Sequence, residues 1–400
     1  MERLWLVGER INPGFFIELV LEGEGLPLPR EGWLPLLERL ALAVPAVRGR
    51  LRGVLGGCRW SLDGPLPELR TVDLLGWPGA SDTSPWPSPP PVDPRRGPLV
   101  QVFLGGGPPD RVVLRVHHAL MDGRGLLHLG RVLFALLRGE GLAPDRTPGP
   151  TDRRVARRLP GSASPPPERD CVAIGAGPTH PSRPGTTWRR LAFAGNPSAV
   201  LARTLVALAR ALPPEGPARV DLPVDLRRYL AADEGPSTAN LTGIVRLDLR
   251  PVLAEPDPVR AVKLALTAAL ERGEAAGTVR AADVARWLPV GLMAAIGRGD
   301  ARAALAQGRF GASALVSNFG QVALADFSGG GFRAQRAFVV PPSHPGLPLF
   351  LSLLGTQERV EMCAVVPRAM AGCLDSVEPA LRAEFGPPLP STHTLSLLAR

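Results

Sequence analysis

A mixed α/β protein of two lobes is what this chain predicts, and three features lead there. Its 400 residues are 45% hydrophobic and 21% charged, enough for two cores or one large composite core. Short β-rich apolar runs alternate with helically spaced apolar residues in both halves. Between the halves, the stretch PDRTPGPTDRRVARRLPGSASPPPERD at 144–170 combines proline, serine and arginine with little hydrophobicity, the composition of a linker or crossover loop. The expected division is an N-terminal lobe over 1–145, a basic, proline-rich crossover over 146–170 and a C-terminal lobe over 171–400.

Element by element, the first apolar run is FFIELVLEG, opening at Phe15; it reads as a strand that leaves into a turn at Gly23 and Gly25. In GWLPLLERLALAVPAVRGRLRG the residues Trp33, Leu36, Leu37, Leu40 and Val44 recur at three- and four-residue steps, an amphipathic helix that Pro45 interrupts. Residues 84–97 are too proline-rich for a helix or an inner strand and should form a surface loop. PLVQVFLG and RVVLRVHH, separated by GGPPD, predict a hairpin whose second arm ends in two histidines. After Gly123, the residues Leu126, Leu127, Val132, Leu133, Leu136 and Leu137 give a helix with one apolar face, ending near Gly139.

The second half repeats this grammar. TTWRRLAFAG reads as a strand, NPSAVLARTLVALARAL as a helix capped by Asn196 with Pro197 in its first turn, and ARVDLPVDLRRYL as a strand and turn. LTGIVRLDLR is another strand, and residues 257–271 and 281–297 have helical patterns. GASALVSNFG, GGFRAQRAFVV, LPLFLSLLG and RVEMCAVV form a late block of strands before a last helix, DSVEPALRAEF.

Composition narrows the function classes. The net charge of +9 is almost wholly arginine, since Lys263 is the only lysine, and no zinc finger, basic zipper or aromatic-interleaved basic stripe accompanies it, so no nucleic-acid partner is expected. Cys58, Cys171, Cys363 and Cys373 are scattered with no CxxC pair and read as small core hydrophobes in a reducing compartment. The first ten residues carry charges and no apolar leader core, and no run approaches the roughly 18 to 20 apolar residues of a membrane span. A soluble cytoplasmic protein is expected.

The most informative stretch is RVHHALMDGR, where two of only six histidines stand side by side. Strand alternation sends His117 and His118 to opposite faces, so they have different jobs. Three readings are open: a satisfied core histidine, a metal ligand, or an acid/base imidazole on a loop anchored by Asp122 and turned by Gly123. The metal reading lacks ligands, because His128, His180, His344 and His393 are spread without metal spacing. GASAL at 311–315 is not a GxSxG elbow, no GxxxxGK[ST] occurs, and the GGG runs at 105–107 and 329–331 lack a dinucleotide-binding pattern. Covalent serine catalysis, nucleotide hydrolysis and hydride transfer are thereby unsupported.

The stretch from His117 through Asp122 and Gly123 resembles the HHxxxDG motif of the superfamily that contains chloramphenicol acetyltransferase, nonribosomal peptide condensation domains, polyketide-associated acyltransferases, wax ester synthases and plant HxxxD acyltransferases. Three further stretches resemble that superfamily in the same order: PVDLR at 223–227, SNFG at 317–320, and DFSGG at 326–330, where many members carry DFGWG. The resemblance implies an α/β (α+β type) fold of two similar lobes with a tunnel at their interface, and a free-standing acyltransferase. Its donor would be acyl-CoA or a phosphopantetheinyl acyl carrier protein, and its acceptor a small-molecule alcohol or amine. No tightly bound cofactor and no metal are implied, and one chain suffices to complete the tunnel.

Carried over residue by residue, the resemblance makes His118 the general base and Asn318 the group that binds the developing oxyanion. His117, Asp122, Gly123 and Arg227 become structural members of the motif, Asp122 pairing with Arg227. Ser317, Gly320 and Asp326 become candidate substrate contacts. A stand-alone condensation enzyme joining carrier-bound intermediates, or a non-catalytic binding protein of the same fold, are the alternatives.

Overall fold

The computed structural model describes residues 2–389 apart from 27–28, 55–56, 84–85, 87–90, 146–150, 166, 176–184, 196–197, 232–233, 235–236 and 344–345. Asn196 and Pro197, the expected cap and first turn, therefore lie outside the described residues, as does part of the 146–170 stretch, and the described helix opens later, at Val200 with Ala199 as its N-cap.

The elements run α1 (Glu2–Ile11), β1 (Phe16–Glu24), α2 (Trp33–Ala43), β2 (Arg50–Arg52), β3 (Arg59–Ser61), β4 (Glu68–Asp73), β5 (Val100–Gly106), β6 (Asp110–His117), α3 (Gly123–Leu137) and α4 (Asp152–Ala156). There follow β7 (Thr186–Ala194), α5 (Val200–Arg210), β8 (Arg219–Asp225), β9 (Thr242–Asp248), α6 (Arg250–Leu253), α7 (Pro258–Glu271), α8 (Gly277–Val284) and α9 (Val290–Gln307). Last come β10 (Ala314–Gln321), β11 (Arg333–Val340), β12 (Phe350–Gly355), β13 (Arg359–Pro367) and α10 (Cys373–Phe385).

Two sheets organise the molecule. The first has the order β11-β1-β6-β5-β4 and the second β7-β13-β12-β10-β8-β9. The hairpin expected across GGPPD forms, with β5 antiparallel to β6, and β6 is antiparallel to β1. Buried apolar residues of α2 and α3 cover one face of the first sheet, while α5, α7 and α10 cover the second. The opposite face of β1 and β6 carries charge in cross-strand register: Glu18 opposes Arg115 and Glu22 opposes Arg111, at 2.5 and 3.1 Å. Opposite charges facing one another across a ladder support the register. This lets a charged face lie inside the protein.

Strand β11 comes from the second half of the chain and completes the first sheet against β1. With it come Phe319, Phe327 and Phe332, which pack into the core of the first sheet.

The structure departs from the sequence reading at 281–297, which is divided between α8 and α9. Pro289 is the reason. It cannot continue a helix and disfavours helical backbone in the residue before it, and Leu288 is extended at φ −74°, ψ 138°. A second departure is α1, where the sequence showed only charges unsuited to a leader.

Candidate active site

Strand β6 ends at His117 and α3 begins at Gly123, with five residues between them. The loop between is fixed at its far end by Asp122, the N-cap of α3, whose Oδ1 accepts from the Gly125 N–H at 2.8 Å. The same carboxylate takes both Nη atoms of Arg227 at 3.0 Å, the Leu241 N–H at 2.7 Å and the Thr242 hydroxyl at 3.1 Å. Burial pushes the Asp122 pKa up, but the Arg227 charge and these hydrogen bonds outweigh it and hold the carboxyl below its ordinary value.

Arg227 is equally committed. Beyond Asp122, its Nε donates to Ser237 O at 3.0 Å, Nη1 to Asp225 Oδ1 at 3.0 Å and Nη2 to Ala239 O at 2.5 Å. All five guanidinium N–H groups are thus placed. The pair ties the loop after β6 to the turn after β8, joining the first sheet's motif to the second sheet.

Gly123 and Gly125 permit this close approach. A Cβ on Gly123 would fall 1.9 Å from the Phe319 ring, and one on Gly125 would fall 2.3 Å from the Thr238 carbonyl oxygen. Neither position has room for a side chain.

His118 and His117 do face different surroundings. The His118 backbone is held from both sides, its N–H donating to Phe15 O at 3.0 Å and its carbonyl accepting from Asn240 Nδ2 at 2.7 Å. The residue is 7% exposed and its ring lies under Trp5 of α1, with centroids 4.4 Å apart and planes at 18°; Phe15 lies at 5.9 Å. Burial lowers the His118 pKa from its ordinary 6.5, which favours the neutral ring.

His117 is fully buried, edge-on to Phe16. Its Nδ1 accepts from the Ala119 N–H at 3.2 Å, so a neutral ring carries its proton on Nε2, which stands 3.3 Å from Glu9 Oε2. Glu9 also accepts from the N–H groups of Gly14 and Phe15 at 3.0 and 2.7 Å. His117 thereby touches the end of α1 while His118 lies under its beginning.

A cavity of about 480 Å³ adjoins the other side of the motif, lined by Gly123, Arg124, Pro223, Thr242, Ser317 and Asn318 among others. Asn318 Oδ1 accepts from the N–H of Gly320, whose φ of 69° needs glycine, and both residues reach a neighbouring cavity. His118 is not on the lining of this cavity. Asp326 lies apart from both, in a turn where it meets Arg131 Nε at 3.1 Å.

Sequence reasoning named neither Trp5 nor Glu9, and passed over Asn240 and Thr242. Only α1 carried a local signal, the spacing of Leu4, Val7 and Ile11 in ERLWLVGERI. No cluster of residues that could hold a metal occurs among the described residues. His128 pairs with Asp145 at 3.0 Å, and His180, His344 and His393 lie outside the described residues. No described helix is long and apolar enough to cross a membrane.

No family model and no curated protein matches the chain. Solved structures do. The first condensation domain of the calcium-dependent antibiotic synthetase, in complex with a substrate analogue, superposes with TM-score 0.63 at 16% identity over 98% of this chain and 97% of its own. A mutant starter condensation domain of rhizomide synthetase, in complex with C8-CoA and Leu-SNAC, gives 0.60 at 14% identity over 97% and 94%. TRI101 of F. graminearum, complexed with coenzyme A and deoxynivalenol, gives 0.60 at 13% identity over 93% and 97%. This chain therefore has the two-lobed α/β fold of the condensation domains and their chloramphenicol acetyltransferase-like relatives.

Proposed function

We propose that the chain is an acyltransferase that moves an acyl group from an acyl-CoA or acyl-carrier-protein thioester to an alcohol or amine, with His118 as general base. The observation that carries this reading is the state of His118: a buried imidazole, kept neutral by desolvation, on a loop anchored through Asp122 to Arg227. A neutral imidazole on a fixed loop suits proton removal from an acceptor.

In this reading the acceptor's oxygen or nitrogen attacks the thioester carbonyl carbon and its proton passes to His118. The tetrahedral intermediate then collapses, the C–S bond breaks, and the leaving thiolate takes the proton back. Holding the reactants in line contributes several kcal/mol to such a step. The Asn318 Oδ1 is engaged by Gly320, so its Nδ2 is left to donate to the oxyanion, with Ser317 beside it. No group beyond the thioester and the acceptor is needed to balance the reaction.

The ligands of the similar structures support a thioester donor, since one holds C8-CoA and another coenzyme A. Leu-SNAC in the rhizomide synthetase domain supports an amine-bearing, thioester-linked acceptor as the second reading, a stand-alone condensation enzyme. A third, a binding protein of this fold, draws on Trp5 covering His118 and on the absence of His118 from the lining of the 480 Å³ cavity.

Thiol release from a panel of acyl-CoAs and acyl carrier proteins, with alcohol and amine acceptors present, tests the proposal. Turnover by wild type and its loss in His118→Ala is the expected result. Turnover only with carrier-bound acceptors selects condensation, whereas turnover retained by His118→Ala defeats the assignment of the base.

A further inference from the structure

A second cavity, of about 410 Å³, opens between the 78–81 loop, β7, β11 and α10. It lies at the far end of the first sheet from the histidines: Phe16 pairs with His117 and Glu22 with Arg111, a separation of about 20 Å along β1. The aromatic cluster of Trp77, Trp86, Trp188 and Phe338 packs beneath that sheet face.

The wall of this cavity carries Arg189, Arg190, Arg336, Arg359 and Arg382, with Glu378 the acid among its described lining residues. Three of these arginines are matched. Arg189 meets Asp375 at 2.9 Å and Glu378 at 3.1 Å, Arg382 meets Glu378 at 2.5 Å, and Arg190 grips Glu361 through two nitrogens at 2.9 and 3.0 Å while reaching Glu22 at 2.9 Å. Glu22 is further shared with Arg111 at 3.1 Å.

Arg336 and Arg359 are different. Their nearest carboxylates, Glu22 and Glu361, stand 3.9 Å away and are the ones already engaged. Neither guanidinium hydrogen-bonds to another described residue, yet their side chains are only 19% and 21% exposed. Burial lowers the Arg336 pKa, and the charges of Arg359 and Arg190 add to this against the opposing pull of Glu22. Two half-buried cations that repel one another and face a cavity are stabilised by an anion placed between them.

We propose that Arg336 and Arg359 form a binding site for a phosphate-bearing ligand, separate from the His118 loop. A guanidinium offers a planar fork that fits phosphate oxygens through paired N–H groups. The cavity is larger than a bare phosphate needs, so the ligand is a phosphate ester or diphosphate with an organic part. Its source is either a free phosphorylated metabolite or the nucleotide end of coenzyme A. The site stands on its own geometry and does not depend on acyl transfer.

Calorimetric titration with inorganic pyrophosphate at low salt provides the test, using wild type, Arg336→Ala, Arg359→Ala and, as a carboxylate-paired control outside the lining of this cavity, Arg272→Ala. Saturable binding is expected in wild type, about tenfold weaker in each of the first two variants and little changed in the third. It should weaken as salt is added. Absence of saturable binding to wild type, or equal affinity in all four proteins, overturns the proposal. Thermal melting of the free proteins separates loss of the fold from loss of the site, and Arg336→Gln with Arg359→Gln repeats the comparison with less change in volume. Displacement of pyrophosphate by coenzyme A but not by pantetheine assigns the phosphates to the thioester donor; displacement by glycerol phosphate or a nucleoside phosphate alone assigns them to a separate metabolite.

Discussion

Trp5 lies flat on the imidazole of His118, with ring centroids 4.4 Å apart and planes inclined by 18°. The indole removes water from one face of the ring, and burial is the main cause of the lowered pKa. In the proposed role His118 works as a base in its neutral form, so turnover should persist above the lowered pKa and fail below it. Trp5→Ala readmits water and raises the pKa, and the acid limb of the pH–rate profile should move to higher pH. An unmoved limb would show that Trp5 does not set the state of His118.

The Asp122–Arg227 contact should dominate the stability of the motif. Asp122→Asn removes the buried one of the two carboxylates that Arg227 meets and leaves only the more exposed Asp225, and breaking a buried pair in this way typically costs about 3 to 5 kcal/mol. The pH dependence follows from the folded carboxyl having a pKa below 3.8. Protonation is favoured in the unfolded chain, so this stabilisation is present above about pH 3.8 and is lost as pH falls through the folded pKa. Urea unfolding across that range should show a shallower acid loss in Asp122→Asn than in wild type.

The two motif glycines should respond differently to repair. Gly123→Ala meets the Phe319 ring and Gly125→Ala meets the Thr238 backbone oxygen, and each should lose about 1 to 3 kcal/mol. Adding Phe319→Leu should restore part of the first loss and none of the second, because only the first obstacle is a side chain. Melting temperatures of the single and double variants check this.

Glu9 should act on α1 rather than on the whole fold. Glu9→Ala strips the acceptor from the N–H groups of Gly14 and Phe15, an effect of about 1 to 3 kcal/mol. Hydrogen exchange should rise first in residues 2–16, with α5 and α10 protected as before. Uniform acceleration across both sheets would contradict a local role.

Much of the architecture is legible because its elements advertise themselves locally. RVVLRVHH is β-branched and ends at a loop, GGPPD turns a hairpin, and the leucines after Gly123 keep one face. The adjacency of two histidines is readable as two environments, because strand alternation is local as well. What those environments contain is not. Glu9 and Trp5 meet the histidines through long-range packing of α1, whose charges read only as unsuited to a leader, and RAQRAFVV reads as a strand without stating which sheet it joins. Similarly, Arg336 and Arg359 are two among many arginines until the sheets place them on one cavity.

The seating of β11 beside β1 has a consequence for how the polypeptide can be divided. A protease cut or a gene split near 151–165 would yield an amino-terminal fragment whose sheet lacks a border strand, with the backbone of Glu18 to Glu24 left unpaired on that side. Co-expressed with its complement, that fragment should recover the strand and stay bound to it without a peptide link; expressed alone, it should self-associate through the bare edge. The two lobes behave, in this sense, as a clasp.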